Sequence, residues 1–358
     1  MIKAKTTKLQ DMVARAGKGV GNDKFNPITN FLMLDVMNGV LTITSTDATN
    51  YLSVSGKVEG DDFHVVIFAD QFSKLIARMT CEDVSLTLKE KSLEIVGNGT
   101  YNIALPEENG EPIKLIVPTK EDVTDRGEKI GNLSIATIKA ILNSVKPGLS
   151  DKVEQPLYTN YFVGNGVVAT NGVKINTLEV NLFEHPILIS SNTMELLDVI
   201  TDDSVDVYKK EKDIWFVSDN YLICSILAYD AASYPISKLT EFINSESYTS
   251  TCKVSKLDVV QALDRIGLFV SELDDDKIVL SFDESSLTIT SKLSDGVEKI
   301  EYISSENPIS YVGESYLAML KAQIRAQIGD TIEICYGGKK SLKMVNDNVT
   351  AILALAVK

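Results

Sequence analysis

Residues 38–56 read NGVLTITSTDATNYLSVSG. After Asn38-Gly39, Leu41 and Ile43 alternate with Val40, Thr42 and Thr44; a polar TDATN follows, and Leu52 and Val54 resume the alternation. Period-two alternation on both sides of a polar connection is the pattern of two half-buried antiparallel strands. A similar pattern returns at 164–180 as GNGVVATNGVKINTLEV and, more weakly, at 284–303 as ESSLTITSKLSDGVEKIEYI. The copies lie about 120 residues apart, close to the usual size of one domain.

Helical patterns flank each copy. Leu9, Met12, Val13 and Ala16 fall at i, i+3, i+4 and i+7, and Phe72, Leu75, Ile76 and Met79 repeat that spacing after the strands. Ile138, Ile141, Leu142 and Val145, stopped by Pro147-Gly148, pair with Thr193, Leu196, Leu197 and Ile200 in the middle third. Looser versions span 257–266 and 317–328. A further strand pair follows each second helix, so the unit helix, strands, helix, strands is written three times. An acidic connector over 106–131 and the segment 229–251 separate the units. The expected fold is α+β, with domains at 1–120, 121–245 and 246–358.

The chain of 358 residues has 44% hydrophobic and 24% charged residues, a globular composition, and a net charge of −15. It has no apolar run long enough for a membrane span or a signal peptide, so a soluble, cytoplasmic protein is expected. Cys81, Cys224, Cys252 and Cys335 are far apart and read as reduced core thiols. His64 and His185 are the only histidines, no zinc spacing is present, and GKGVGN at 17–22 fits neither nucleotide fingerprint. No nucleophile-base pair or carboxylate constellation is visible, and the Asp274–Asp276 run reads as a solvated loop. Neither an enzyme nor a bound cofactor is expected.

Charge is unevenly placed. The six helical windows 5–18, 70–79, 134–146, 192–201, 253–266 and 314–328 hold 13 basic and 7 acidic residues, so the rest of the chain carries −21. Lys74 with Arg78 and Lys321 with Arg325 are spaced i, i+4; Lys8 with Arg15 and Lys139 with Lys146 are spaced i, i+7. Each pair shares a helix face, and a repeated scaffold can sum such fields on one side. The window 192–201 has no base and breaks the pattern.

With three such units and basic helices on an acidic body, the chain resembles the bacterial sliding clamp, the beta subunit of DNA polymerase III. NPITNFLMLDVMNGVLTITSTDATNYLSV is similar to the family's first-domain signature. VVATNGVKI at 167–175 is similar to its Ala-Thr-Asp-Gly-His-Arg-Leu motif, and YPISKL at 234–239 to its aromatic-Pro segment. Asn171, Val173 and Lys174 depart from that motif, and AILALAVK replaces the usual Met-Pro ending. These departures point to a divergent member, such as a phage or mobile element would carry.

The resemblance implies three clamp domains per chain and a six-domain ring of two head-to-tail chains around duplex DNA. DNA would be held without base readout, and a replicative polymerase and an ATP-driven loader would bind through short linear peptides. Lys8, Arg15, Lys18, Lys74, Arg78, Lys139, Lys146, Lys256, Lys321 and Arg325 are expected to face DNA, with Lys24 and Lys152 on loops. Tyr101 and Ile103 are expected to meet Leu268 and Phe269 of a second chain. The peptide cleft is expected from Leu157, Thr170, Gly172, Val173, Lys174, Ile175, Pro235 and Leu239, with Ala354, Leu355 and Ala356 from the tail. The two tail alanines should make that cleft wide and shallow. The alternative is a non-enzymatic, acidic three-domain structural or binding protein that does not touch DNA.

Overall fold

The computed structural model describes residues 1–21, 23–152, 154–245, 247–270, 276–292, 296–338 and 340–356. Asp274 and Asp275 of the acidic run, and Val357 and Lys358 of the tail, lie outside them. The chain forms two compact units, one of residues 1–138 and 192–228, the other of residues 139–191 and 229–358.

The stretch 38–56 forms the hairpin expected of it. Asn38 and Gly39, with φ of 52° and 74°, are the two-residue turn joining strand Phe31–Met37 to Val40–Thr46. Positive φ at both central positions matches strand twist, which is why Asn-Gly suits it. Val40–Thr46 then pairs with Asn50–Lys57. Leu41, Ile43 and Leu52 are fully buried, each contributing about 1.5–3 kcal/mol of apolar transfer.

The same turn chemistry recurs in the second copy, whose strands are Asn160–Thr170 and Lys174–Asn181. In TDATN the Thr46 hydroxyl donates to the Asn50 carbonyl at 2.7 Å and accepts the Ala48 N–H at 3.0 Å, while Asp47 accepts the N–H groups of Thr49 and Asn50. In TNGVK the Thr170 hydroxyl donates to the Lys174 carbonyl at 2.8 Å and accepts the Gly172 N–H at 3.1 Å, while Asn171 accepts from Val173 and Lys174. Ala48 and Gly172 occupy the equivalent left-handed position, at φ of 79° and 86°. A Cβ is strained there, so Ala48→Gly is expected to raise unfolding stability by about 1 kcal/mol, read as a higher denaturation midpoint at unchanged m-value.

In the first unit an eight-stranded antiparallel sheet runs Glu128–Ser134, Ser204–Lys210, Asp213–Val217, Tyr221–Ile226, Asn50–Lys57, Val40–Thr46, Phe31–Met37, Phe63–Phe68. Buried Asn50 joins its two sources: its side-chain carbonyl accepts from Ser225 at 2.5 Å and from Thr193 at 2.9 Å. A second, five-stranded sheet ends on Thr100–Ala104. Helices Thr6–Ala16 and Ala69–Ala77 pack together, with the Gln10 amide donating to the carbonyls of Ile76 and Met79 at 3.0 and 2.9 Å. Leu9, Met12, Val13, Ala16, Phe72 and Ile76 are buried as their spacing requires.

In the second unit the eight-stranded sheet runs Ile187–Ser190, Asn160–Thr170, Lys174–Asn181, Val349–Ala354, Ser341–Asn346, Thr331–Tyr336, Ser250–Ser255, Ser304–Glu306. The third hairpin copy, Ser286–Ser291 with Val297–Glu301, lies in a four-stranded sheet whose outermost strand is Val297–Glu301. Helices Lys256–Ile266 and Leu317–Ala326 pack together over Val259, Leu263, Leu320 and Ile324.

The connectors contain two helices that periodicity did not announce. Lys120–Arg126 starts at a capping box formed by Thr119 and Asp122, and Ile236–Ser245 lays Ile236, Leu239 and Ile243 onto an apolar cluster. All four cysteines are free. Burial pushes the Cys224 and Cys252 thiols up to about 12 and Cys335 up to about 11, so they stay protonated and inert. Among the described residues no helix is long and apolar enough to cross a membrane.

Candidate nucleic-acid, subunit and peptide surfaces

The twelve bases singled out in the sequence divide by what holds them. The side chains of Lys18, Lys24, Arg78, Lys139 and Lys152 are exposed and make no ion pair or hydrogen bond among the described residues. Lys146 is exposed as well. Lys8 donates to the Lys57 carbonyl at 3.0 Å, and Lys74 pairs with Asp70 at 2.7 Å, both at the surface; contacts of this kind are weak and exchange readily with solvent or another anion.

Two of the twelve are built into the fold instead. The Arg15 guanidinium takes both oxygens of Asp11 at 2.8 Å and donates to the Val199 carbonyl at 2.6 Å. Lys256 donates to the carbonyls of Arg325, at 3.1 Å, and Gln327, closing the C-terminus of helix Leu317–Ala326 where backbone acceptors are otherwise unmatched. Both side chains thus tie parts of the fold together, and both remain partly exposed. Lys321 and Arg325 both pair with Asp264, which Lys321 holds below the usual carboxylate range. Lys256, Lys321 and Arg325 nevertheless line one concavity of about 710 Å³, with Asn143, Pro147 and Gln327 on its wall.

The expected subunit residues also divide. Thr100–Ala104 is an edge strand, and Tyr101 on it is 39% exposed. Ile103 is a correction: it stands opposite Leu93 with both side chains buried in the first unit, so it is core rather than surface. Leu268 is 83% and Phe269 50% exposed, in the single turn Gly267–Phe269, and Phe269 packs beside Gly296 at the start of edge strand Val297–Glu301. Sequence reasoning missed Val297, itself exposed on that edge.

Of the peptide-cleft residues, Leu157, Ile175 and Leu239 meet in one apolar cluster with Phe162, Val168, Leu188, Tyr234 and Ile352. Tyr234 stacks on Phe162 at 5.7 Å and meets Tyr158 edge-on at 6.1 Å, and its burial pushes the phenol pKa up. Thr170 is buried beneath the turn that exposes Gly172 and Val173. Pro235 and Lys174 are half-buried, with burial pulling the Lys174 pKa down against Asp151. The Ala354 N–H donates to the Val173 carbonyl at 2.9 Å, placing the exposed tail alanine beside that turn, and Ala356 bonds the Glu314 carbonyl.

Leu355 is also a correction: it faces away, into the core formed with Leu353 and against Gly313. Ala354, the last residue of strand Val349–Ala354, is exposed while Leu355 just beyond it is buried, so the two do not line the same cleft.

Three comparisons bear on this geometry. Residues 1–115 match the family model of the DNA polymerase III beta subunit, N-terminal domain. No curated protein matches the chain in sequence. The DNA polymerase sliding clamp of Bacillus subtilis superposes with a TM-score of 0.85 at 17% identity, covering 100% of this chain and 99% of that one. The polymerase beta subunit of Streptococcus pyogenes gives 0.85 at 13% identity with both chains covered completely. The DNA polymerase III subunit beta of Borrelia burgdorferi gives 0.80 at 19% identity, covering 100% and 98%. The chain therefore has the sliding-clamp fold from end to end.

Proposed function

We propose that this chain is a DNA sliding clamp, a non-enzymatic processivity factor of the DNA polymerase III beta-subunit kind that closes as a dimer around duplex DNA in the cytoplasm. Three repeats, 1–120, 121–245 and 246–358, make up each chain, and the middle repeat lends strands to both eight-stranded sheets. A closed ring holds DNA by topology, so phosphate contacts can stay weak and mobile while escape sideways is blocked. No cofactor is required.

The observation that carries the ring is a rule of strand pairing. The second strand of the first hairpin, Asn50–Lys57, pairs with Tyr221–Ile226, the last sheet strand of the middle repeat. The second strand of the second hairpin, Lys174–Asn181, pairs with Val349–Ala354, the last strand of the third. Among the described residues Val297–Glu301, the equivalent strand of the third hairpin, has no partner on its outer side, and neither does Thr100–Ala104, the equivalent closing strand of the first repeat. Applying the rule once more joins these two edges between chains, head to tail. Open edges are otherwise an aggregation hazard, and a heterologous contact of this kind forms a closed ring when its rotation closes, here after two chains.

DNA is held by the exposed bases Lys18, Lys24, Arg78, Lys139, Lys146 and Lys152, with Lys8, Lys74, Lys321 and Arg325 available by exchange from their partners. Because they neutralise phosphate without reaching base edges, binding is independent of sequence. The net charge of −15 and the pairing of Arg15, Lys74, Lys321 and Arg325 with acids favour the alternative of an acidic binding protein without DNA. Salt-resistant retention on closed circular DNA, which only a ring gives, separates the two readings.

Polymerase and loader peptides bind over the cluster of Leu157, Ile175, Tyr234 and Leu239, beside Gly172, Val173 and Ala354. Small residues at the turn permit close backbone approach, and the apolar floor receives aliphatic or aromatic anchors. Val173, 45% exposed, can be changed without disturbing the core, whereas Ile175 cannot. Val173→Glu is expected to weaken a cognate clamp-binding peptide about tenfold or more while leaving the dimer mass unchanged; calorimetric titration with unaltered affinity would move the site elsewhere.

A further inference from the structure

We infer that Phe25 is a stacking platform for an unpaired DNA base, so that the protein grips DNA carrying a single-stranded segment more firmly than its charge alone allows. The inference rests on the clamp reading above. Phe25 is 98% exposed, the most exposed aromatic among the described residues. Its backbone is nonetheless tethered: the Phe25 N–H donates to the Asp23 carboxylate at 2.8 Å, and the Asp23 N–H donates to the hydroxyl of fully buried Thr29 at 2.9 Å. The Asn30 amide donates to the Asp23 carbonyl at 3.3 Å. The loop is therefore fastened to the fold while the ring is held out in water.

The ring's surroundings decide what it fits. Asp23 and Lys24 beside it are exposed, and between Met1 and Met37 no other large apolar side chain is exposed among the described residues. A protein-docking anchor is normally one of a contiguous apolar group, whereas an isolated aromatic next to a lysine is the pairing used on single strands: the ring takes a base face and the ammonium the adjoining phosphate. A base paired within a duplex is stacked on both sides and offers no free face, so away from duplex ends the ring distinguishes unpaired from paired DNA. The second repeat keeps the Asp-Lys pair, at Asp151-Lys152, and the short Pro-led turn, at Pro156–Thr159 against Pro27–Asn30, but has valine in place of the aromatic. The ring is an addition to the first copy, not a requirement of the turn.

The test titrates the full-length protein with an oligothymidylate and with a fully paired duplex of equal length, by fluorescence anisotropy. Phe25→Ala is expected to weaken oligothymidylate binding about tenfold, the scale of one base stack removed, with duplex binding unchanged. Phe25→Trp should keep the affinity, and its indole emission should be quenched on binding, against the constant signal of buried Trp215. Unaltered oligothymidylate binding by Phe25→Ala, with wild-type duplex binding intact, overturns this inference alone and leaves the ring to a protein partner. Equal losses on both DNAs, or no quenching of Phe25→Trp, would assign Phe25 to loop structure and also overturn it. A wild-type protein that binds neither DNA would refute the clamp reading and this inference with it.

Discussion

Val297→Glu should convert the dimer to a monomer, halving the mass in sedimentation equilibrium at micromolar concentration while leaving the thermal midpoint of the isolated chain unchanged. Val297 is 61% exposed on the open edge strand Val297–Glu301, so a carboxylate there meets water in the monomer and costs little. In the dimer the same carboxylate would be buried at the junction of strands Val297–Glu301 and Thr100–Ala104 without a partner, a penalty of several kcal/mol per ion, and it would occur at both junctions of the ring. Tyr101→Asp on the other edge should act alike. Ile116→Glu, at a fully exposed position outside both edge strands, should leave the mass at two chains. A dimer that survives both edge variants would show that the chains meet through another surface.

The second large effect is on DNA. Replacing Lys18, Lys24, Arg78, Lys139 and Lys152 with alanine is expected to lower duplex affinity on the order of a hundredfold at physiological ionic strength. The slope of log affinity against log salt should fall by about 0.9 for each phosphate that is no longer neutralised. All five are exposed, so circular dichroism and the thermal midpoint should match wild type. Asp264→Asn should act in the opposite direction, since Lys321 and Arg325 both lean on that carboxylate; a slope steeper by up to about 1.8 is expected as the two freed bases each take up a phosphate. If the five-alanine variant binds duplex as wild type does, these bases do not face DNA.

The hairpins and six of the helices were legible because each carries one clear period: Leu41 and Ile43 at period two, and Leu9, Met12, Val13 and Ala16 at i, i+3, i+4 and i+7, all buried as the pattern requires. Helix Lys120–Arg126 was not read because it is too short for a period to show, although Thr119 and Asp122 spell a capping box. Helix Ile236–Ser245 was hidden inside a segment treated as a connector. The site was less legible than the fold. Arg15 and Lys256 are held by the carbonyls of Val199 and Gln327, and a backbone acceptor leaves no mark in a sequence.

Ile103 and Leu355 failed for a different reason. Each was assigned by likeness of motif, whereas burial depends on tertiary placement: Ile103 takes the inward face opposite Leu93 in its strand, and Leu355, just past the end of its strand, packs into the core against Gly313. Val297 lies in the weakest copy of the hairpin, and its importance appears only once the other two copies are seen to pair outward.

The central claim is that two chains enclose DNA, and topology tests it without a loader. The protein is mixed with a linear duplex, the ends are joined by ligase, and the circle is washed at a salt concentration that screens phosphate contacts. Protein is expected to stay on the closed circle and to leave when a single restriction cut opens it. Release from the intact circle as fast as from the linear duplex in the same salt would contradict it.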